Sequence, residues 1–202
     1  MNIHKTFIAA AVGCTIVSAG QLSAQSTDTQ AAPAPKTGWE FLVSSGTVLP
    51  TGAERGIIKR ANLTAAQLSY VVRPELAVTA TLGWARSRDI ASIDNPKLDV
   101  FAYDLGAEFR SPRWTVGDVV TLSSFAGLGA GARSYNYRSL DVDATHNVSA
   151  YASVGGEFGV SRVRVRLEAR DYVSGFKPLS GKGSAVTGND VALMAGLRIV
   201  TR

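Results

Sequence analysis

From Gly38 onward the chain alternates between apolar and polar positions with a period of two. In "RVRVRLEARDY" (Arg162–Tyr172), Val163, Val165, Leu167 and Ala169 fall on one side. Arg162, Arg164, Arg166, Glu168 and Arg170 fall on the other. Strict alternation of this kind predicts a strand with two unlike faces. Seven further segments repeat it. "WEFLVSSGTVL" sets Trp39, Phe41 and Val43 against Glu40, Leu42 and Ser44, and "TAAQLSYVV" sets Leu68 and Tyr70 against Gln67 and Ser69. "LAVTATLGWA" places Leu82 and Trp84 opposite Thr81 and Gly83, and "FAYDLGAEFR" places Phe101, Tyr103, Leu105 and Phe109 opposite Asp104, Gly106, Glu108 and Arg110. "VTLSSFAGLGAGA", "VSAYASVGGEFGV" and "VALMAGLRIVT" continue the pattern, with Phe158 on the apolar face of the second and Glu157 on its polar face, and with Arg198 on the polar face of the third. No stretch from Gly38 onward carries a helical period of similar length. The prediction is an all-β chain of eight antiparallel strands.

The connections alternate as well. Long joins ("TGAERGIIKRAN", "RSRDIASIDNPK", "YNYRSLDVDATHN", "SGFKPLSGKGSAVTGN") take turns with short ones ("RPE", "SPRWTVGD", Ser161–Arg162), and Trp114 is expected in a turn. Long loops on one rim and short turns on the other characterise an up-and-down barrel in an outer membrane, with both termini on the short-turn, periplasmic side. Segments of about ten residues also suffice to cross a bilayer at a tilt.

Alternation alone also fits a soluble lipocalin-like barrel with its apolar face inward. Three features favour the inverse arrangement. After residue 24, lysine occurs only at Lys36, Lys59, Lys97, Lys177 and Lys182, all expected outside the strands. A closed interior prefers arginine, whose planar fork can hold carboxylates in fixed geometry. Glycines concentrate on the polar face and leave room for long arginine side chains. Aromatic residues gather at the ends of the apolar face: Trp84 and Phe101, with Tyr135 or Tyr137, near the long loops, and Trp39, Phe109 and Phe158 near the short turns. Two such girdles are expected of a membrane barrel. Arginine facing lipid at the bilayer midplane costs about 2–4 kcal/mol, so the arginines are assigned to the lumen.

That assignment yields a candidate charge network of Glu40, Asp104, Glu108, Glu157 and Glu168 with Arg110, Arg162, Arg164, Arg166, Arg170 and Arg198. Buried charges require partners. An eight-stranded barrel is just wide enough for side chains to fill. A salt-bridged interior is therefore expected in preference to an open pore, with a narrow or gated water path, or a small barrel passing a solute through the lumen or a lateral gap, as the alternative.

Residues 1–24 have the layout of a secretory signal peptide: basic "MNIHK", an apolar run, then "LSA" before Gln25. The single cysteine, Cys14, lies in that run. Residues 25–37 read as a disordered Ala/Pro spacer, and 38–202 as the barrel. The net charge of +5 is mostly arginine spaced by two along strands, and no nucleic-acid partner is expected of such a pattern on an exported chain.

On these segments and this loop rhythm, residues 38–202 resemble the small eight-stranded outer-membrane barrels: the transmembrane domain of outer membrane protein A and its relatives, outer membrane proteins X and W. The resemblance is one of architecture, without a family-defining motif. It implies residence among outer-membrane lipids, insertion by the barrel-assembly machinery, and a role in envelope integrity, loop-mediated binding of an extracellular ligand, or small-solute passage. One departure is the end "GLRIVTR", where Thr201 and Arg202 replace the usual aromatic finish. After the signal segment the sole histidine is His146, and its spacing to Ser149 does not match the His-x-Ser of lipid A deacylases. Asp141 and Asp143 read as a loop acidic cluster. No catalytic residues, cofactor or metal site are assigned, and no enzymatic activity is expected.

Overall fold

The computed structural model describes residues 37–117, 119–138, 140–176 and 186–201. The expected signal peptide, the spacer up to Lys36, and Lys177 and Lys182 lie outside the described residues. The strands are β1 (Gly38–Thr51), β2 (Ala61–Arg73), β3 (Leu76–Arg88), β4 (Lys97–Arg110), β5 (Trp114–Val116), β6 (Val120–Tyr137), β7 (Thr145–Val160), β8 (Val163–Phe176) and β9 (Val186–Val200). Each long strand pairs antiparallel with its neighbours in sequence. β1 pairs with β9, and β4 with β6. Eight long strands thus close into an up-and-down barrel in which each long strand has a partner on both sides, and the short β5 pairs with β6 alone among the described residues.

β5 corrects the expectation of a turn around Trp114. The chain leaves β4 at Arg110, and Pro112, which has no N–H to donate, interrupts the ladder. Trp114↔Leu122 and Val116↔Val120 then resume pairing against the start of β6. The reversal falls at Gly117, whose φ of +57° suits a residue without a Cβ. Arg162 is a second correction. It sits in the two-residue β7–β8 turn, exposed, after Ser161 at positive φ, and does not face the lumen.

The long strands run from 13 to 18 residues, more than the roughly 9–11 needed to cross a bilayer. The walls therefore extend past the apolar band on the long-loop side, and several residues read as loop, including Lys97, belong to strands.

The polar face is inward. Arg198, Glu40 and Arg166 are almost completely buried, whereas Leu105 is 68% and Val154 60% exposed on the outer wall. The lipocalin-like arrangement is therefore not adopted. Asp171 is a charged exception on the outer face, in the half of β8 nearer the long loops.

Candidate functional site

The lumen is built in layers. In the layer nearest the short turns, Glu108 of β4 accepts from three arginines: Arg110 Nε at 2.7 Å, Arg166 Nη2 at 2.6 Å and Arg198 Nη1 at 3.2 Å. Glu40 of β1 takes Arg110 Nη2 at 2.7 Å and Arg198 Nη1 at 3.0 Å, across the β1–β9 seam. Glu157 of β7 takes Arg166 Nη1 at 2.8 Å and lies 3.1 Å from Arg198 Nε, with Arg164 Nη1 more distant at 3.9 Å. Glu168 bridges Arg166 Nε at 2.9 Å and Arg170 Nη2 at 2.8 Å. Apart from Arg164, which meets only Glu157, each of these guanidiniums touches carboxylates from more than one strand, so the network ties the walls together across the lumen as well as around it. Its members alternate because every second residue of a strand faces inward.

At mid-height Arg170 Nη1 lies 3.5 Å from Asp104 Oδ2, which also accepts from the Tyr172 hydroxyl at 2.8 Å. Here the inward glycines make room for aromatic rings, where the sequence suggested arginine. A methyl group at Gly106 would fall 2.1 Å from Tyr151 Oη, and one at Gly155 would fall 2.4 Å from the Phe125 ring. The arginines stack on those rings: Arg166 lies 3.3 Å over Phe125 and Arg170 4.3 Å over Tyr151. Glycine, ring and guanidinium form successive layers from wall to axis, which gives the cations π-faces as well as carboxylates.

The layer nearest the long loops is apolar inside, a feature the alternation did not reveal. Val48, Ile58, Leu63, Leu98, Tyr135 and Phe176 belong to one buried cluster. Tyr135 and Tyr137, expected in the outer girdle, point inward instead. Tyr135 packs on Phe176 with centroids 4.7 Å apart, and the Tyr137 hydroxyl donates to Asp89 at 2.8 Å. They are odd-numbered residues on a strand whose even-numbered residues face out. A strict count along β6 through Phe125 would have placed them inside. A cavity of ≈20 Å³ lies in this layer between Leu63, Gly83, Val100 and Tyr172, about enough for one water.

Ionisable side chains also penetrate this apolar layer. Arg133 pairs with Asp190. Glu54, from the 3₁₀ turn Gly52–Gly56 in the first long loop, is fully buried against Gly188, where a Cβ would lie 1.7 Å from its carboxyl oxygen. Neither Glu54 oxygen has a hydrogen-bond donor among the described residues, and Asp190 Oδ1 has none either. Burial, followed by the nearby Asp190 carboxylate, pushes Glu54 up to about 8, so it is largely protonated at neutral pH.

On the outside, Trp39, Phe109 and Phe158 are exposed near the short turns, with Trp39 tilted against Tyr70 at 5.0 Å between centroids. Trp84 and Phe101 stack at 6.4 Å toward the long-loop rim. His146 is exposed in β7, and Ser149 is buried on the opposite face of the strand.

Among solved structures, Neisserial surface protein A is similar at 11% identity and a TM-score of 0.56, over 81% of this chain and 97% of that one. The chain has the fold of the small outer-membrane barrels. The solid-state NMR structure of outer membrane protein AlkL in DMPC lipid bilayers is also similar, at 13% identity and a TM-score of 0.51, over 85% of this chain and 94% of that one. No protein-family model and no curated protein sequence matches the chain.

Proposed function

We propose that the chain is an integral outer-membrane barrel with a closed interior, whose work is done at its long-loop rim in maintaining the envelope or binding an extracellular ligand. In this reading the barrel-assembly machinery inserts it, both termini face the periplasm, and it catalyses no reaction. The observation that carries the reading is that the lumen is filled at every level. The ion-pair layer occupies the short-turn end, the ring and guanidinium layer the middle, and the apolar cluster with Tyr135 and Phe176 the long-loop end. An outer wall of exposed Leu, Val and Phe supports a lipid surround. The names of the two similar structures, a surface protein and an outer membrane protein in lipid bilayers, support the location.

Solute passage through the lumen is the competing reading, and the filled interior weighs against it. Reconstitution into planar bilayers tests the choice. The unmodified barrel is expected to show no steady conductance. Arg166→Ala, which removes a link between Glu108, Glu157 and Glu168, is expected to introduce brief openings. A steady conductance from the unmodified barrel would overturn the closed interior. Membrane residence is checked separately by running outer-membrane fractions in SDS, boiled and unboiled, and a compact barrel is expected to shift in mobility only when heated.

A further inference from the structure

The wall formed by β2, β3, β4 and β6 carries an ordered ladder of outward-facing residues. Lowest are Leu68, Ala80, Leu105 and Ala130, in register with one another. Two residues higher, Ala66, Leu82, Tyr103 and Ala132 line up, and above them come Thr64, Trp84, Phe101 and Ser134. Asn62, Arg86, Asp99 and Asn136 follow, and then Arg88 opposite Lys97, with the Arg138 amide donating to the Lys97 carbonyl. Each step is a rise of about 6.6 Å along the strand.

The top and bottom of this ladder differ in chemistry and both are concave. At the top, Lys59, Arg60, Arg86, Arg88, Lys97 and Arg138 line a recess of ≈300 Å³. Among the described residues, Asp99 is the only carboxylate that forms an ion pair with any of the six, and it pairs with Arg138. Arg60 Nε instead bonds Thr47 Oγ1 at 3.1 Å, and the Arg86 guanidinium rests 4.0 Å over the Trp84 ring. Beneath the Trp84–Phe101 stack, the same strands form an apolar groove of ≈640 Å³. Small residues (Ala66, Ala80, Ala130, Ala132) line it between larger ones such as Leu82 and Leu105.

Cations in this number, with one carboxylate among them, repel one another unless an anion is supplied. An aromatic stack at this height marks the boundary between headgroups and acyl chains. Lipid tails fill a groove of this kind at little cost, and the strand register aligns groove and recess on one wall.

We propose that this wall is a binding site for a multiply phosphorylated, multiply acylated lipid, the chemistry of lipid A. Its phosphates would be held by the cationic recess and an acyl chain laid in the alanine-lined groove below Trp84. The site rests on the outer-membrane reading above, with the long-loop rim in the outer leaflet. Several guanidinium and ammonium groups around one recess suit two phosphates better than one, since guanidinium can engage a phosphate through two parallel hydrogen bonds. A singly charged glycerophospholipid would leave most of the cations uncompensated.

The test is native mass spectrometry of the full barrel in micelles doped in turn with bisphosphoryl lipid A, monophosphoryl lipid A and phosphatidylglycerol, with pyrophosphate as a soluble competitor. The heat-dependent gel shift establishes beforehand, for each variant, that the barrel has formed. The expected order of retention is bisphosphoryl above monophosphoryl above phosphatidylglycerol. In Arg86→Gln/Arg88→Gln/Lys97→Gln, all exposed and outside the lumen, affinity for bisphosphoryl lipid A is expected to fall about a hundredfold, at roughly fivefold for each cation near a membrane surface. Ala80→Trp/Ala130→Trp, which fills the groove, is expected to weaken lipid A binding while the affinity for pyrophosphate itself stays unchanged, so that less pyrophosphate displaces the lipid.

Equal retention of phosphatidylglycerol, undiminished binding in the charge variant, or pyrophosphate competing as well as lipid A would each overturn the site while leaving the barrel reading intact. A chain that shows no heat-dependent shift from outer-membrane fractions would remove the barrel reading itself.

Discussion

Glu54 shows how one side chain can be set by surroundings that are distant in sequence. It lies on a short 3₁₀ turn, yet its carboxyl is buried over Gly188 between Asp190, Arg133 and Tyr135. Its ordinary value of 4.5 rises to about 8 in the docked loop. The docked state thus binds a proton more tightly than the undocked one. The stabilisation this gives to docking is fully present below pH about 4.5 and is lost as pH rises through about 8. Hydrogen exchange at the Ile57 and Ile58 amides, which donate to the Glu54 carbonyl, is expected to accelerate beyond the intrinsic rate across that window. In Glu54→Gln the excess acceleration should vanish, and exchange that still tracked pH would show that Glu54 is not the titrating group. Nothing in "TGAERG" announces this role. By contrast, the lumen carboxylates Glu40, Glu108, Glu157 and Glu168 could be read from alternation alone, because each sits on a strand where parity decides the face.

At the scale of the strand, parity was reliable and ends were not. The existence and order of the eight long strands followed from period two, since only a strand presents every second side chain to the same environment. Their lengths did not follow, because the backbone ladder continues past the point where the outer face stops needing to be apolar. The short β5 was missed for a related reason: three residues after a proline carry too little pattern to separate a strand from a turn. Glycine positions were visible in the sequence but the side chains above them were not, since Tyr151 reaches Gly106 from two strands away. Filling that space should cost stability. Gly106→Val would force its Cβ against Tyr151 Oη and the Leu128 carbonyl. It is expected to lower unfolding stability in detergent by about 1–3 kcal/mol, as overpacking does elsewhere, measured by the urea midpoint of the heat-dependent gel shift. A midpoint equal to that of the unmodified chain would mean the Tyr151 ring is free to move aside.

For the whole molecule, the inversion of the usual rule, with charges inside and Leu and Val outside, is stable only if lipid replaces water around the wall. Ion pairs buried this deeply are costly to break singly. Removing one partner from a buried pair typically loses about 3–5 kcal/mol, so closure of the β1–β9 seam through Glu40 and Arg198 and the layering around Glu108 support each other. The outer face makes the opposite demand. Leu128→Arg places a cation on the exposed wall of β6 and is expected to reduce the stability of folding into vesicles, by up to about 2–4 kcal/mol, the cost of such a cation at the midplane. The same substitution on a barrel surrounded by water would be nearly neutral. Folding efficiency in vesicles that matched the unmodified chain would therefore contradict a lipid surround for β6.

The sequence by itself determined the strand count, the alternation of faces and the inward course of the charged residues, because these depend on local period and on the cost of unpaired charge. Only the tertiary structure decided which arginine meets which carboxylate, that the long-loop end of the lumen is sealed by apolar rings, and that Glu54 is buried beneath them. It also aligned the cations of two strands and two loops above one apolar groove. Those outcomes depend on the register between strands and on barrel closure, which bring together residues as far apart as Glu40 and Arg198. Alternation along a single strand carries no information about either.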